Sequence, residues 1–217
     1  PPHDPSAFDN EPLRPYNAGP DALLTNFKSL RLTLVPDTAT RTVVAVIDTP
    51  VDDIRVDVRL QYADGACGDW REKLAVSVTG NALSLSGTFA GNCGEKALHV
   101  SPWPANLQVE QLFRALWKEL GGSFGGRVRD GDAPPTAKLL LTHESPPLAE
   151  AVRDVNKWSN NVMARQLFLA LAPSRPATPE AARERVTAWL QQKGVSGVML
   201  ENGAGLSRDE RISAEGM

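Results

Sequence analysis

The chain has 217 residues, 41% of them hydrophobic and 23% charged, with a formal net charge of −3. These values suit one large globular domain or two small ones. There is no basic excess, and Lys and Arg are scattered, so nucleic acid is excluded as a partner; no apolar run approaches the roughly 18–20 residues of a membrane helix, so no membrane span is expected.

The first stretch, PPHDPSAFDNEPLRPYN, has no initiator Met, no charged n-region and no apolar h-region, so it is not a signal peptide. It reads as a segment from inside a longer protein, and the end, DERISAEGM, is equally abrupt. Residues 1–20 are rich in Pro and Gly and predict an extended connection. From about residue 30 to 100 the pattern is strand-like. Leu30, Leu32 and Leu34 alternate with Arg31 and Thr33, and Pro36-Asp37 breaks the run. Val43 to Ile47 is a short apolar run. Ile54, Val56, Val58 and Leu60 alternate with Arg55, Asp57 and Arg59, which predicts a strand with one wet face. Leu74–Val78 and Leu83–Ser86, joined by Thr79-Gly80-Asn81, resemble a hairpin.

Two cysteines, Cys67 and Cys93, lie beside Gly in turn-like surroundings bracketing this region. They are either a disulfide or two unrelated thiols. The disulfide is favoured, because exposed turn cysteines seldom come in isolated pairs otherwise. It would contribute on the order of 3 kcal/mol and imply an oxidising compartment.

The period then changes to helical. Val109, Leu112, Phe113, Leu116, Trp117 and Leu120 mark one face of a helix that Gly121-Gly122 ends. Residues 127–135 form a turn-rich link, and AKLLLT (Ala137 to Thr142) reads as a buried strand. A second helical block begins near Pro147, with Leu148, Val152 and Val155 on one face. It breaks at Ser159-Asn160-Asn161 and resumes from Val162 to Leu171. Another helix starts with Thr178 as N-cap and Pro179 at the first position, and runs to Lys193 with Gly194 beyond. Val198–Leu200 predicts a short strand, and residues 201–205 a tight turn. The β-rich and helical parts therefore read as different units, with a boundary near 142–147.

The candidate chemistry lies at Ser159-Asn160-Asn161. A Ser and an Asn two apart at a helix junction can both point into a cleft. The hydroxyl can pass on a proton, and the amide offers a donor and an acceptor for a peptide group. Such a triplet arises by chance in about every second chain of this length. Taken alone it reads as a helix break with Ser159 as N-cap of the next helix. Trp158 reads chiefly as core packing. His3, His99 and His143 share no metal-ligand spacing. Gly121–Gly126 lacks the Lys and the helix of a phosphate loop, and Arg127 and Arg129 read as surface charge.

Context changes that reading. Beyond an amphipathic helix and a short strand stands Glu201-Asn202-Gly203-Ala204-Gly205-Leu206-Ser207-Arg208. With Lys157, Ser159, Asn160 and Asn161, this resembles the class C low-molecular-mass penicillin-binding proteins, the serine-type D-alanyl-D-alanine carboxypeptidase/endopeptidases. In that family K-x-S-[DN]-N is followed by a helix rich in Ala, Leu and Phe and then by D-G-S-G-L-S-R; Ala204 stands here where the family usually has Ser. Tyr16-Asn17-Ala18-Gly19-Pro20-Asp21-Ala22-Leu23-Leu24-Thr25-Asn26 looks like the segment by which the family leaves its catalytic domain for an inserted β-rich region.

The resemblance implies an α+β multidomain fold: part of a β-lactamase/transpeptidase-like α/β domain plus an inserted β-rich domain. Residues 1–29 would be the connection from the catalytic domain. Residues 30–145 would be the insertion, with one helix at about 107–121, and 146–217 the partial catalytic domain carrying S-x-N. It implies catalytic roles for Ser159 and Asn161 and substrate binding by Asn160 and Lys157. It also implies peptidoglycan stem peptides as substrates, β-lactams as ligands of the intact enzyme only, a periplasmic location, and no cofactor or metal. The implied acyl-serine mechanism needs S-x-x-K and K-[ST]-G as well. No Ser here has Lys three residues later, and neither Lys28-Ser29-Leu30 nor Lys193-Gly194 is K-[ST]-G. In the family those motifs lie outside the span matched here, so an internal fragment inactive by itself is expected. The other reading is a non-catalytic module that binds peptidoglycan or a partner protein.

Overall fold

The computed structural model describes residues 3–173 and 175–217. It divides into two compact units, Leu13–Pro15 with Leu23–Asp130, and Pro1–Pro12 with Tyr16–Ala22 and Gly131–Met217.

The first unit is β-rich. Strand β1 (Leu30–Asp37) lies between β2 (Thr42–Ile47) and β6 (Lys96–Val100), antiparallel to both. A second sheet has the order β3 (Arg55–Ala63), β5 (Ala82–Ala90), β4 (Leu74–Thr79). The expected hairpin is present as antiparallel β4/β5, with Val78 opposite Leu83, whereas β3 runs parallel to β5. The period-2 alternation sends Leu30, Leu32 and Leu34 of β1 inward to meet Leu83, Leu85 and Phe89 of β5, and both Trp70 and Trp103 close the same core. Phe89 packs edge-on against Trp70 with ring centroids 5.8 Å apart. The buried Trp103 indole donates to the Gly80 carbonyl at 2.9 Å, tying the hairpin turn to the core. At Gly87, where φ is +115°, a Cβ would collide with the Lys73 carbonyl, so only glycine lets β5 pass under the entry to β4. A Cys67–Cys93 disulfide joins the loop after β3 to the turn after β5.

Helix α1 (Ala105–Glu119) forms where expected, with a polar face inward. Its buried residues are Gln108, Glu110 and Gln111, while Phe113, Leu116, Trp117 and Leu120 are exposed. The leucines of the two sheets already fill the core, so α1 meets polar main chain. The Gln108 amide is placed to donate to the Lys28 carbonyl and accept from the Ser29 N–H, each at 3.2 Å. Glu110 accepts from the Val128 N–H at 2.7 Å and from Arg114, and these bonds hold its carboxyl below the usual carboxylate range. The outward apolar face makes its own cluster: Phe113 stacks on Trp117 at 5.6 Å and meets Phe124 edge-on at 5.0 Å.

The second unit is helical. It holds α2 (Leu148–Trp158), α3 (Asn161–Ala170) and α4 (Pro179–Gln192). Thr178 caps α4 as its sequence predicts, its side chain accepting from the Ala181 N–H, with Pro179 in the first turn. Gly194, at φ +83°, follows its end. Phe168 and Ala172 pack on Ala182 in a small core. The expected strand at 198–200 is reduced to one bridge, Met199 to Arg211. AKLLLT is not a buried strand: Leu139, Leu140 and Leu141 are 84%, 95% and 82% exposed and lie in an irregular stretch. A buried strand needs neighbours for its main-chain groups on both sides, and among the described residues this run pairs with none.

Candidate functional site

The junction between α2 and α3 is built by two adjacent residues with different tasks. Ser159 ends α2 in the left-handed region, at φ 50° and ψ 46°. Its hydroxyl does not cap α3. Asn160 does so instead, its side chain accepting from the Met163 N–H at 3.0 Å. The cap leaves the Ser159 hydroxyl facing outward, without a hydrogen bond to the described residues.

Asn161 begins α3 and reaches a distant part of the chain. Its Nδ2 donates to the Ala204 carbonyl at 2.9 Å. The receiving turn is held from beneath, because the Ala204 N–H donates to Asn202 Oδ1 at 3.0 Å. Gly203, at φ +75°, has the Phe168 side chain where a Cβ would stand. The contact from Asn161 uses the main chain of Ala204, so an Ala serves as well as a Ser for it.

Ser159, Asn160 and Asn161 line one open groove of about 260 Å³, with Asn156 on α2 and Gly203–Gly205 as the opposite wall. The expected S-x-N residues are therefore side by side with the glycine-rich turn. Lys157 is not among the residues lining the groove; its ammonium sits 5.3 Å from the centre of the Trp158 ring. Trp158 is 71% exposed and is not a core residue, because α2 buries only the face of Val155. The groove carries acceptors, donors and one hydroxyl but no titratable group, so it can orient a peptide and relay a proton without itself supplying a strong base.

One supporting pair was not singled out by the sequence reading. Arg165 lies on the buried stripe of α3 with Val162 and Phe168. Its Nη1 donates to the carbonyls of Tyr16 at 2.6 Å and Ala18 at 3.0 Å. The neighbouring Gln166 brackets Asp21, donating to its carbonyl at 2.6 Å and accepting from its N–H at 3.1 Å. Together they fasten residues 16–21 along α3. The available signal was a charged residue three positions from two apolar ones on a helix face that is otherwise hydrophobic.

The family model for the D-Ala-D-Ala carboxypeptidase 3 (S13) family matches residues 3–217, and the chain belongs to that family. A curated relative, D-alanyl-D-alanine carboxypeptidase DacB of Haemophilus influenzae, is 32% identical over 142 residues, which is 63% of this chain and 30% of that protein. The crystal structure of penicillin binding protein 4 (dacB) from Haemophilus influenzae superposes with a TM-score of 0.75 at 23% identity, covering 94% of this chain and 46% of that one. The same protein complexed with a novel β-lactam gives a TM-score of 0.72 at 23% identity, covering 92% of this chain and 47% of that one. The fold is thus the expected α+β arrangement, shared with part of a penicillin-binding protein, and the chain spans less than half the length of these relatives. Among the described residues no helix is long and apolar enough to cross a membrane.

Proposed function

We propose that this chain is the S-x-N-bearing portion of a serine-type D-alanyl-D-alanine carboxypeptidase/endopeptidase acting on peptidoglycan stem peptides. The observation that carries the reading is the shared groove of Ser159, Asn160, Asn161 and the 203–205 turn, in a chain of the S13 family.

In this reading a serine of an S-x-x-K motif elsewhere in the protein attacks the penultimate D-alanine carbonyl. The C–N bond breaks, the Ser159 hydroxyl relays a proton to the departing D-alanine nitrogen, and water later cleaves the acyl-serine ester. Asn161, with its Nδ2 occupied by Ala204, offers Oδ1 to a substrate N–H. Asn160 keeps its amide Nδ2 for a substrate carbonyl, since its oxygen caps α3. Lys157 adds positive charge near the groove. Residues 1–29 serve as the connection, 30–145 as the insertion and 146–217 as part of the catalytic domain. The Cys67–Cys93 bond supports a periplasmic setting. β-Lactams acylate the same nucleophile in the intact enzyme.

Labelled penicillin tests this directly. The 217-residue chain gives no stoichiometric covalent adduct, whereas the protein from the complete reading frame, with S-x-x-K upstream and K-[ST]-G downstream, does. A complete reading frame without those motifs would leave a non-catalytic module instead.

A further inference from the structure

The helical unit leaves one stretch of its own apolar surface uncovered. Leu139, Leu140 and Leu141 are 84%, 95% and 82% exposed. No main-chain N–H or carbonyl from Lys138 to Thr142 is hydrogen-bonded to a described residue. A few residues on, α2 carries Leu148, Val152 and Val155 on one face. Exposure along that face falls from 65% at Leu148 to 40% at Val152 and 9% at Val155, so only the end beside the S-x-N groove is covered.

Apolar surface exposed in this way marks an interaction surface. The pattern of the run decides what covers it. A partner docked on one side of a strand meets every second side chain, so such a strand alternates apolar with polar residues. Three consecutive leucines send side chains to both faces, the pattern of a strand held between two layers. A separate protein laid against this unit, or a second copy, covers one face and leaves Leu140 or its two neighbours wet. Covering both faces, and pairing the free main-chain groups, takes a sheet within the same domain. Chain to supply one is present in the relatives, since the penicillin binding protein 4 of Haemophilus influenzae is matched over only 46% of its length.

We propose that residues 137–142 join, as a strand, a sheet formed by the part of the catalytic domain outside these 217 residues, and that Leu148 and Val152 of α2 pack on it. The proposal rests on the S-x-N reading above. It carries the catalytic part back from residue 146 to 131, where the continuous stretch of the helical unit begins. It also seats the foot of the helix that ends at Ser159.

The test compares the 217-residue chain with the protein from the complete reading frame. Both cysteines of the chain are in the disulfide, so Leu140→Cys adds one thiol, and its maleimide adduct is read by mass spectrometry on the tryptic peptide 139–153. In the 217-residue chain the thiol reacts as fast as in urea, and the amides of 138–142 exchange hydrogen without protection. In the complete protein labelling slows about 100-fold and the same amides are protected. Exchange is followed on the unsubstituted protein as well, which keeps the test should Leu140→Cys fold poorly. Fast labelling with unprotected amides in the complete protein would overturn the proposal. Protection that appears in the shorter chain by itself as its concentration rises would overturn it too, because a second copy then does the covering. Penicillin acylation of the same samples keeps the two readings apart: an acylated protein with 138–142 unprotected loses this proposal and keeps the S-x-N one.

Discussion

The Asn161 side-chain amide and the Ala204 main-chain carbonyl meet at 2.9 Å although 43 positions separate them in the chain. This bond joins the start of α3 to the 203–205 turn and makes the groove a two-sided object. Asn161→Ala removes the donor and leaves the carbonyl without its partner, at a cost of about 1–2 kcal/mol. Ala204→Ser keeps that bond; because Ala204 is buried, the added hydroxyl costs up to about 1 kcal/mol, less than the loss at Asn161. Urea titrations of both variants separate the two outcomes.

A smaller change at Gly203 should do more harm. The backbone there is left-handed, and an alanine Cβ would stand 2.6 Å from the Phe168 Cβ. Gly203→Ala combines strain at positive φ with a clash against the small helical core, and loses more than about 1 kcal/mol. The thermal melting point falls, and the Phe168 ring resonances shift in the NMR spectrum.

Reduction of Cys67–Cys93 destabilises the β-rich unit. The bond closes a loop with a sequence separation of 26, and its removal costs on the order of 3 kcal/mol. Urea midpoints with and without dithiothreitol measure it, and the double variant Cys67→Ser/Cys93→Ser gives the same value if no new strain appears.

The β-rich unit should also weaken in mild acid through His99. Burial first, then the charges of Arg31 and Arg71, hold this imidazole below the ordinary histidine value of 6.5, with Asp48 acting the other way. The folded state therefore binds the proton less readily than the unfolded chain. The stabilising term is complete above 6.5 and is lost as pH falls through the lower folded value. His99→Gln flattens the slope of urea midpoint against pH measured from about pH 8 to about pH 5.

Local patterns in the sequence were sufficient for the helices and most strands. Thr178-Pro179 starts α4 where a cap and a first-turn proline should, and the alternation of Leu30, Leu32 and Leu34 marks the core face of β1. The S-x-N motif was legible because Ser159 and Asn161 lie close in sequence; that the 203–205 turn forms the facing wall of their groove was not. Non-local relationships were not legible. Nothing in residues 55–63 announces a parallel partner in 82–90. The apolar residues of α1 mark one face of a helix but not which face is buried: the core is filled from the strands, and Gln108 and Glu110 turn inward to satisfy main-chain groups. Leu139–Leu141 carry the hydrophobicity of a buried strand, but periodicity says nothing about whether a neighbour is present to cover it.

The order of strands in the second sheet bears on how the chain is synthesised. β5 is the last of the three to emerge, yet it takes the central place between β3 and β4. Until it arrives, the two earlier strands have no hydrogen-bonding neighbour in that sheet. A hairpin with β4 closes over a short turn, whereas the parallel alignment with β3 spans a longer crossover and forms more slowly. Cys93 follows β5. The native pair therefore cannot form until β5 has been made, and in the folded sheet the covalent link ties the loop after β3 to the turn after the central strand.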